Sequence, residues 1–135
     1  MIGDRGLLDT SVIVALEEFD DSADLPAVGL ISTISLAELS VGPLVTEGRE
    51  QVARQARLQG VEADFEALPF DRDAARAFGG VAASIRRRGR KVAAHTYDAL
   101  IAAVAVANDL PLYTCNPRDF EGIDGLRVVA VIPPR

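Results

Sequence analysis

Short apolar runs alternate with longer stretches in which apolar residues recur every three or four positions. Gly6-Leu7-Leu8 is an apolar run that stops on Asp9. Leu30 to Ile34, Phe65 to Phe70, Pro111 to Cys115 and Arg127 to Ile132 are further β-prone runs. Between them, the pattern predicts helices over Val12 to Glu18, from Leu36 to the Gly42-Pro43 pair, from Glu47 to about Gln59, and from Arg72 to Gly89. In the last of these, Ala75, Phe78, Ala82 and Ile85 repeat at helical spacing, with Arg72, Arg76 and Arg86 off that face. Asp98 to Asn108 is rich in Ala and too long for a strand, so it predicts an apolar helix. Three helix starts carry capping signals: Thr10 or Ser11, Ser35 with Glu38 three residues on, and Asp71. Strands alternating with helices predict an α/β domain, with a mainly parallel sheet of four or five strands.

Composition narrows this picture. A chain of 135 residues, 49% hydrophobic and 25% charged, fits one folded domain, expected to span residues 1–135. One Cys excludes an intrachain disulfide and a Cys-based zinc site, and fits a reduced, cytoplasmic setting. Met1-Ile2-Gly3-Asp4-Arg5 carries an early acid with no long apolar core behind it, so no targeting segment is expected. The longest apolar run, Ala99 to Ala107, falls far short of the roughly 18 residues of a membrane span. A net charge of -6 weighs against a protein that binds nucleic acid by bulk electrostatics.

Four acids stand where the pattern does not ask for charge. Asp9 follows the first strand, at the end that faces the ligand crevice in open α/β sheets. Glu38 lies within the mostly apolar Ile34 to Val41. Asp98 opens the Ala-rich helix, and Asp119 follows the Leu112-Tyr113-Thr114 strand. Singly, each has a structural account. Asp9 and Asp98 can cap helices, Glu38 can complete a box with Ser35, and Asp119 can be a loop acid. Together, two just after strands and two early in helices on the same sheet, they stand at places that can converge at one edge of the sheet. Carboxylates held close stay ionised only with a cation among them, and oxygen ligands suit Mg²⁺ or Mn²⁺. Acids around such ions are the machinery of phosphodiester hydrolysis.

The segments Leu8-Asp9-Thr10-Ser11, Ser35-Leu36-Ala37-Glu38-Leu39, Tyr97-Asp98-Ala99-Leu100-Ile101-Ala102 and Thr114-Cys115-Asn116-Pro117-Arg118-Asp119-Phe120-Glu121-Gly122 carry a resemblance. In order and spacing, the chain resembles PIN-domain ribonucleases, and more narrowly the VapC toxins of type II toxin–antitoxin pairs. The resemblance implies a three-layer α/β/α domain and a Mg²⁺-dependent endoribonuclease, with Mn²⁺ as an alternative ion. Asp9, Glu38, Asp98 and Asp119 match the family's catalytic and metal-binding acids, with Asp9 and Asp98 as main ligands. Thr114 and Asn116 match supporting positions. Asn116 stands where many relatives carry a second Asp, and a neutral amide is a weaker ligand for a second ion. The resemblance also implies a homodimer and inhibition by a VapB antitoxin that places a basic side chain among the acids. DNA would be met only through the antitoxin complex, and no membrane is involved.

Other residues add less. The run Arg86-Arg87-Arg88-Gly89-Arg90-Lys91 reads either as a solvated helix end favoured by the helix dipole or as an RNA-phosphate contact near the site. His95 reads as a polar loop residue, with an RNA-phosphate contact as the alternative, and Cys115 as a small core residue. Asp20-Asp21 reads as a polar loop. Competing classes lack key residues. A receiver-like domain needs a Lys after its last strand, whereas Lys91 is the only Lys. An Asp-nucleophile phosphatase wants a second Asp where Ser11 stands. A catalytically weak PIN domain kept as a binding module would be expected to lack one or more of the four acids.

Overall fold

The computed structural model describes residues 4–133; the reading of the first residues as free of a targeting segment rests partly on Met1–Gly3, which lie outside them. Five strands, β1 (Arg5–Leu8), β2 (Val28–Ser32), β3 (Ala67–Leu68), β4 (Leu112–Thr114) and β5 (Val128–Ala130), form one sheet in the order β3-β2-β1-β4-β5. Every pairing is parallel, with Leu7 opposite both Leu30 and Leu112, and Leu8 opposite Tyr113. Five α-helices make the crossovers up to β4: α1 (Thr10–Val14), α2 (Thr33–Val41), α3 (Gly48–Asp64), α4 (Arg72–Arg87) and α5 (Thr96–Ala107); β4 reaches β5 through a 3₁₀ turn, Pro117–Phe120.

Alternation along the strands sorts the core into two layers. Leu7, Leu30 and Leu112 point to one face, where Ala74, Val81 and Ile85 of α4 and Ile101 to Ala105 of α5 bury them. Leu8, Ile31 and Tyr113 point to the other, covered by Val12 and Ile13 of α1, Leu39 of α2 and Val61 of α3. The result is the expected α/β/α sandwich. Helix α5 is apolar on nearly every side because it lies between the sheet and α4. Gly6 is required in β1: a Cβ there would come within 2.3 Å of the Tyr113 ring.

Several boundaries differ from the sequence pattern. The second helix opens at Thr33, not Leu36, and its cap is Ser32, whose hydroxyl accepts the Ser35 N–H at 3.2 Å. Ser35 and Glu38 therefore form no capping box. Asp9, not Thr10 or Ser11, occupies the cap position of α1, and its side chain makes no cap hydrogen bond. That helix stops at Val14, and Leu16–Glu18 form a separate 3₁₀ turn. Helix α3 runs on to Asp64, and β3 is only two residues long. Helix α5 begins two residues early, so Asp98 lies inside its first turn instead of capping it. Asp71 caps α4 as expected, accepting the Ala74 N–H at 3.0 Å. Asp20 and Asp21 lie in an exposed turn.

Candidate active site

Strand β1 is flanked by β2 on one side and β4 on the other, so connections diverge at its carboxyl end. That is where open parallel sheets leave a crevice. Asp9 sits at this point, 4% exposed. Its main chain closes the edge: the N–H donates to the Tyr113 carbonyl at 2.9 Å, and the carbonyl accepts the Val12 N–H at 2.9 Å. A carboxylate this deep needs donors. Ser11 Oγ and Thr114 Oγ1 both donate to Asp9 Oδ2 at 2.8 Å. Each hydroxyl also accepts a main-chain N–H, Ser11 from Cys115 at 3.1 Å and Thr114 from Asn116 at 3.0 Å. Thr114 is fully buried and Asn116 exposed.

Thr10 reaches the other way. Its hydroxyl donates to Glu38 Oε1 at 2.8 Å and lies 2.8 Å from Ser35 Oγ. A hydroxyl has one proton, so Ser35 must donate to Thr10 while Thr10 donates to Glu38. Glu38 thus serves α2 as an oriented acid. Partial burial pushes its carboxyl above the ordinary range, with Asp9 adding to the effect and the Thr10 hydrogen bond opposing it.

Asp98 carries the strongest perturbation. Burial first, and then the charges of Asp9, Asp119 and Glu38, push its carboxyl from an ordinary 3.8 up to about 6. That response ties all four acids to one electrostatic site. Asp119 lies on the 3₁₀ turn Pro117–Phe120, whose Phe120 is locked into the core. His95, ending the turn Val92–His95, sets Nδ1 3.9 Å from Asp98 Oδ2 and opposes the upward shift. Donor atoms of His95, Asp98 and Asp119 all lie within 4.8 Å of one another, the only such group among the described residues. Asp9 and Glu38 fall outside that tighter group. Oxygen and nitrogen donors so disposed fit a divalent ion.

A cleft of about 550 Å³ opens onto this edge, lined by Glu38 and Ala93 to Asp98. On the other side of Glu38 lies a groove of about 330 Å³ bordered by Thr10, Val14, Leu39, Val41, Val45, Arg54 and Arg57. Val14, Val41 and Val45 are exposed there.

The basic run is more engaged than a solvated helix end. Arg87 pairs with Asp124 and donates to Ser84 Oγ at 3.2 Å. Arg90 donates to the Arg118 carbonyl at 2.8 Å and lies 3.9 Å from Glu121. The Arg88 side chain lies over Gly122, whose φ of +76° is strained for any residue with a Cβ. Arg87, Arg88 and Arg90 thus reach the segment around Asp119, although Arg87 and Arg88 are exposed like Arg86 and Lys91. Cys115 is partly buried, and burial pushes its thiol up, which suits a packing role. Sequence reasoning left Ser11, Thr10 and Ser35 without a role at the acids. The hydroxyl pair directly after Asp9 was the available sign, masked by its equal fitness for capping.

An all-parallel sheet with acids gathered at its switch point defines an α/β domain with a cation-competent edge. The PIN domain family model matches residues 6–126, and the chain belongs to that family. Ribonuclease VapC5 of Mycobacterium tuberculosis is 38% identical over 130 residues, covering 94% of this chain and 93% of that protein. A crystal structure of VapBC-5, a member of the VapBC toxin–antitoxin family from the same organism, superposes with a TM-score of 0.81 at 34% identity. It covers 95% of this chain and 99% of that one. DNA-bound VapBC from Salmonella typhimurium gives 0.74 at 29% identity, covering 96% and 98%. No helix among the described residues is long and apolar enough to cross a membrane.

Proposed function

We propose that the protein is the toxin of a VapBC pair, a single PIN domain over residues 1–135 that cleaves RNA with Mg²⁺, or Mn²⁺, held by Asp9, Glu38, Asp98 and Asp119. The observation that carries this reading is the gathering of Asp9, Glu38, Asp98 and Asp119 at one edge of the sheet, in a chain whose residues 6–126 match the PIN domain family. Such a cluster repels a phosphodiester until a cation joins it. When bound, the ion supplies Lewis-acid stabilisation of charge on the phosphate and an activated water. Ser11 and Thr114 hold Asp9 in one orientation, and Thr10 fixes one oxygen of Glu38. Catalysis needs such preset geometry. Thr114 and Asn116 support from the end of β4. Arg86, Arg87, Arg88, Arg90 and Lys91, all exposed but the half-buried Arg90, draw the RNA backbone toward the edge. Single-stranded loops are the favoured substrate, since their bases are accessible.

The VapB antitoxin occupies the groove beside Glu38, its apolar side chains on Val14, Val41 and Val45 and a basic group among the acids. The protein acts in the cytoplasm as a homodimer and meets DNA only through the antitoxin. The presence of all four acids favours an enzyme over a PIN domain kept for binding. The test is cleavage of a defined RNA with Mg²⁺, comparing wild type with Asp9→Ala and Asp98→Ala, each checked for an intact fold by circular dichroism. Cleavage should fall to background in both variants and in wild type with EDTA. Wild-type rates in either folded variant would refute the proposal.

A further inference from the structure

We infer that His95 is a nitrogen ligand of the ion, giving this site a mixed nitrogen and oxygen donor set; the inference rests on the acid-cluster reading above. The acids divide into two kinds. Asp9 Oδ2 and Glu38 Oε1 are held by protein hydroxyls. By contrast, the side chains of Asp98, Asp119 and His95 make no hydrogen bond among the described residues. These three are also the group whose donor atoms share one 4.8 Å neighbourhood.

The 3.9 Å between His95 Nδ1 and Asp98 Oδ2 is too long for a hydrogen bond. It falls within the range for two ligands of a common ion, since donors about 2.0–2.2 Å from a metal lie roughly 3 to 4.4 Å apart. The imidazole is partly buried, its side chain 26% exposed, and it ends a 3₁₀ turn that runs directly into α5, so the main chain places it one helical turn before Asp98. An imidazole suits borderline ions better than it suits Mg²⁺, which prefers oxygen and water. His95 therefore raises affinity for Mn²⁺ more than for Mg²⁺.

The chain has one His, so an imidazole signal from untagged protein has one source. The probe is Mn²⁺ alone, read by electron spin-echo envelope modulation and by titration of the free-ion resonance. Wild type should show imidazole ¹⁴N modulation that His95→Gln lacks. The substitution should weaken Mn²⁺ binding on the order of tenfold while changing Mg²⁺ competition far less. Bound Mn²⁺ without ¹⁴N modulation in wild type would overturn the His95 assignment and leave the carboxylate site standing. Failure of wild type to bind Mn²⁺ at millimolar concentration would overturn both. The wild-type spectrum decides the matter even if the variant folds poorly.

Discussion

Replacing Asp98 by Asn should stabilise the metal-free protein at neutral pH. The amide keeps the shape and removes a charge that the fold holds at a cost. The folded carboxyl titrates near 6 against 3.8 ordinarily, a difference of about two pH units. At about 1.4 kcal/mol per unit, the ceiling is about 3 kcal/mol. The side chain is 31% exposed, and water screening brings the expected gain to about 1–2 kcal/mol. The direction follows from linkage. Between pH 3.8 and about 6 the folded protein binds more protons at this site than the unfolded chain, so wild-type stability from this group falls as pH rises through that window. Below it both forms are protonated and wild type and Asp98→Asn should match. Above it the gap is complete. Urea unfolding in EDTA at pH 4 to 8, taken as the difference between the two proteins, isolates Asp98 from other carboxylates. Adding Mg²⁺ or Mn²⁺ should then reverse the order, because only wild type gains binding free energy. Equal stability at pH 7.5 in EDTA, or a gap that narrows as pH rises from 4 to 6, would refute the reasoning.

Thr114→Val takes away one of two donors to the buried Asp9 carboxylate and the acceptor for the Asn116 N–H. It should cost about 1–3 kcal/mol in urea unfolding, and an unchanged midpoint would count against the hydroxyl network. Arg90→Gln and Arg86→Gln should separate two uses of the basic run. The first frees the Arg118 carbonyl and should weaken divalent-ion binding, as followed by titration calorimetry. The second should lower the salt dependence of RNA binding by about one phosphate contact. Exchanged outcomes would mean that Arg90 steers and Arg86 braces.

Much of the site was legible because its acids violate local pattern. Asp9 ends an apolar run, and Asp98 lies in the first turn of a helix that is otherwise almost wholly apolar. The parallel sheet was legible for a similar reason: strands buried on both faces read as continuous apolar runs. What escaped depends on contacts between distant residues. Ser32 and Ser35 are equally good caps by composition; in the fold Ser32 caps α2, and Ser35, inside the helix, meets Thr10 across 25 residues. A lone His near an acid carries no pattern of its own. Its proximity to Asp119 arises only when the last third of the chain folds back beside α5. The arginine run looked uniform in sequence, yet the turn after β4 captures some of its members and leaves others in solvent.

The hydrogen bonds of Asp9-Thr10-Ser11 also have a temporal consequence. This tripeptide leaves the ribosome early, but Thr114 and Cys115, the partners of Asp9 and Ser11, lie more than a hundred residues further on. Pairing of β1 with β4 closes a loop that includes most of the protein, the slowest kind of contact to form. Asp119 arrives later still. The segment β1 through α2 is therefore made well before the residues that complete its acidic edge. Competence for chemistry is withheld until synthesis is almost finished.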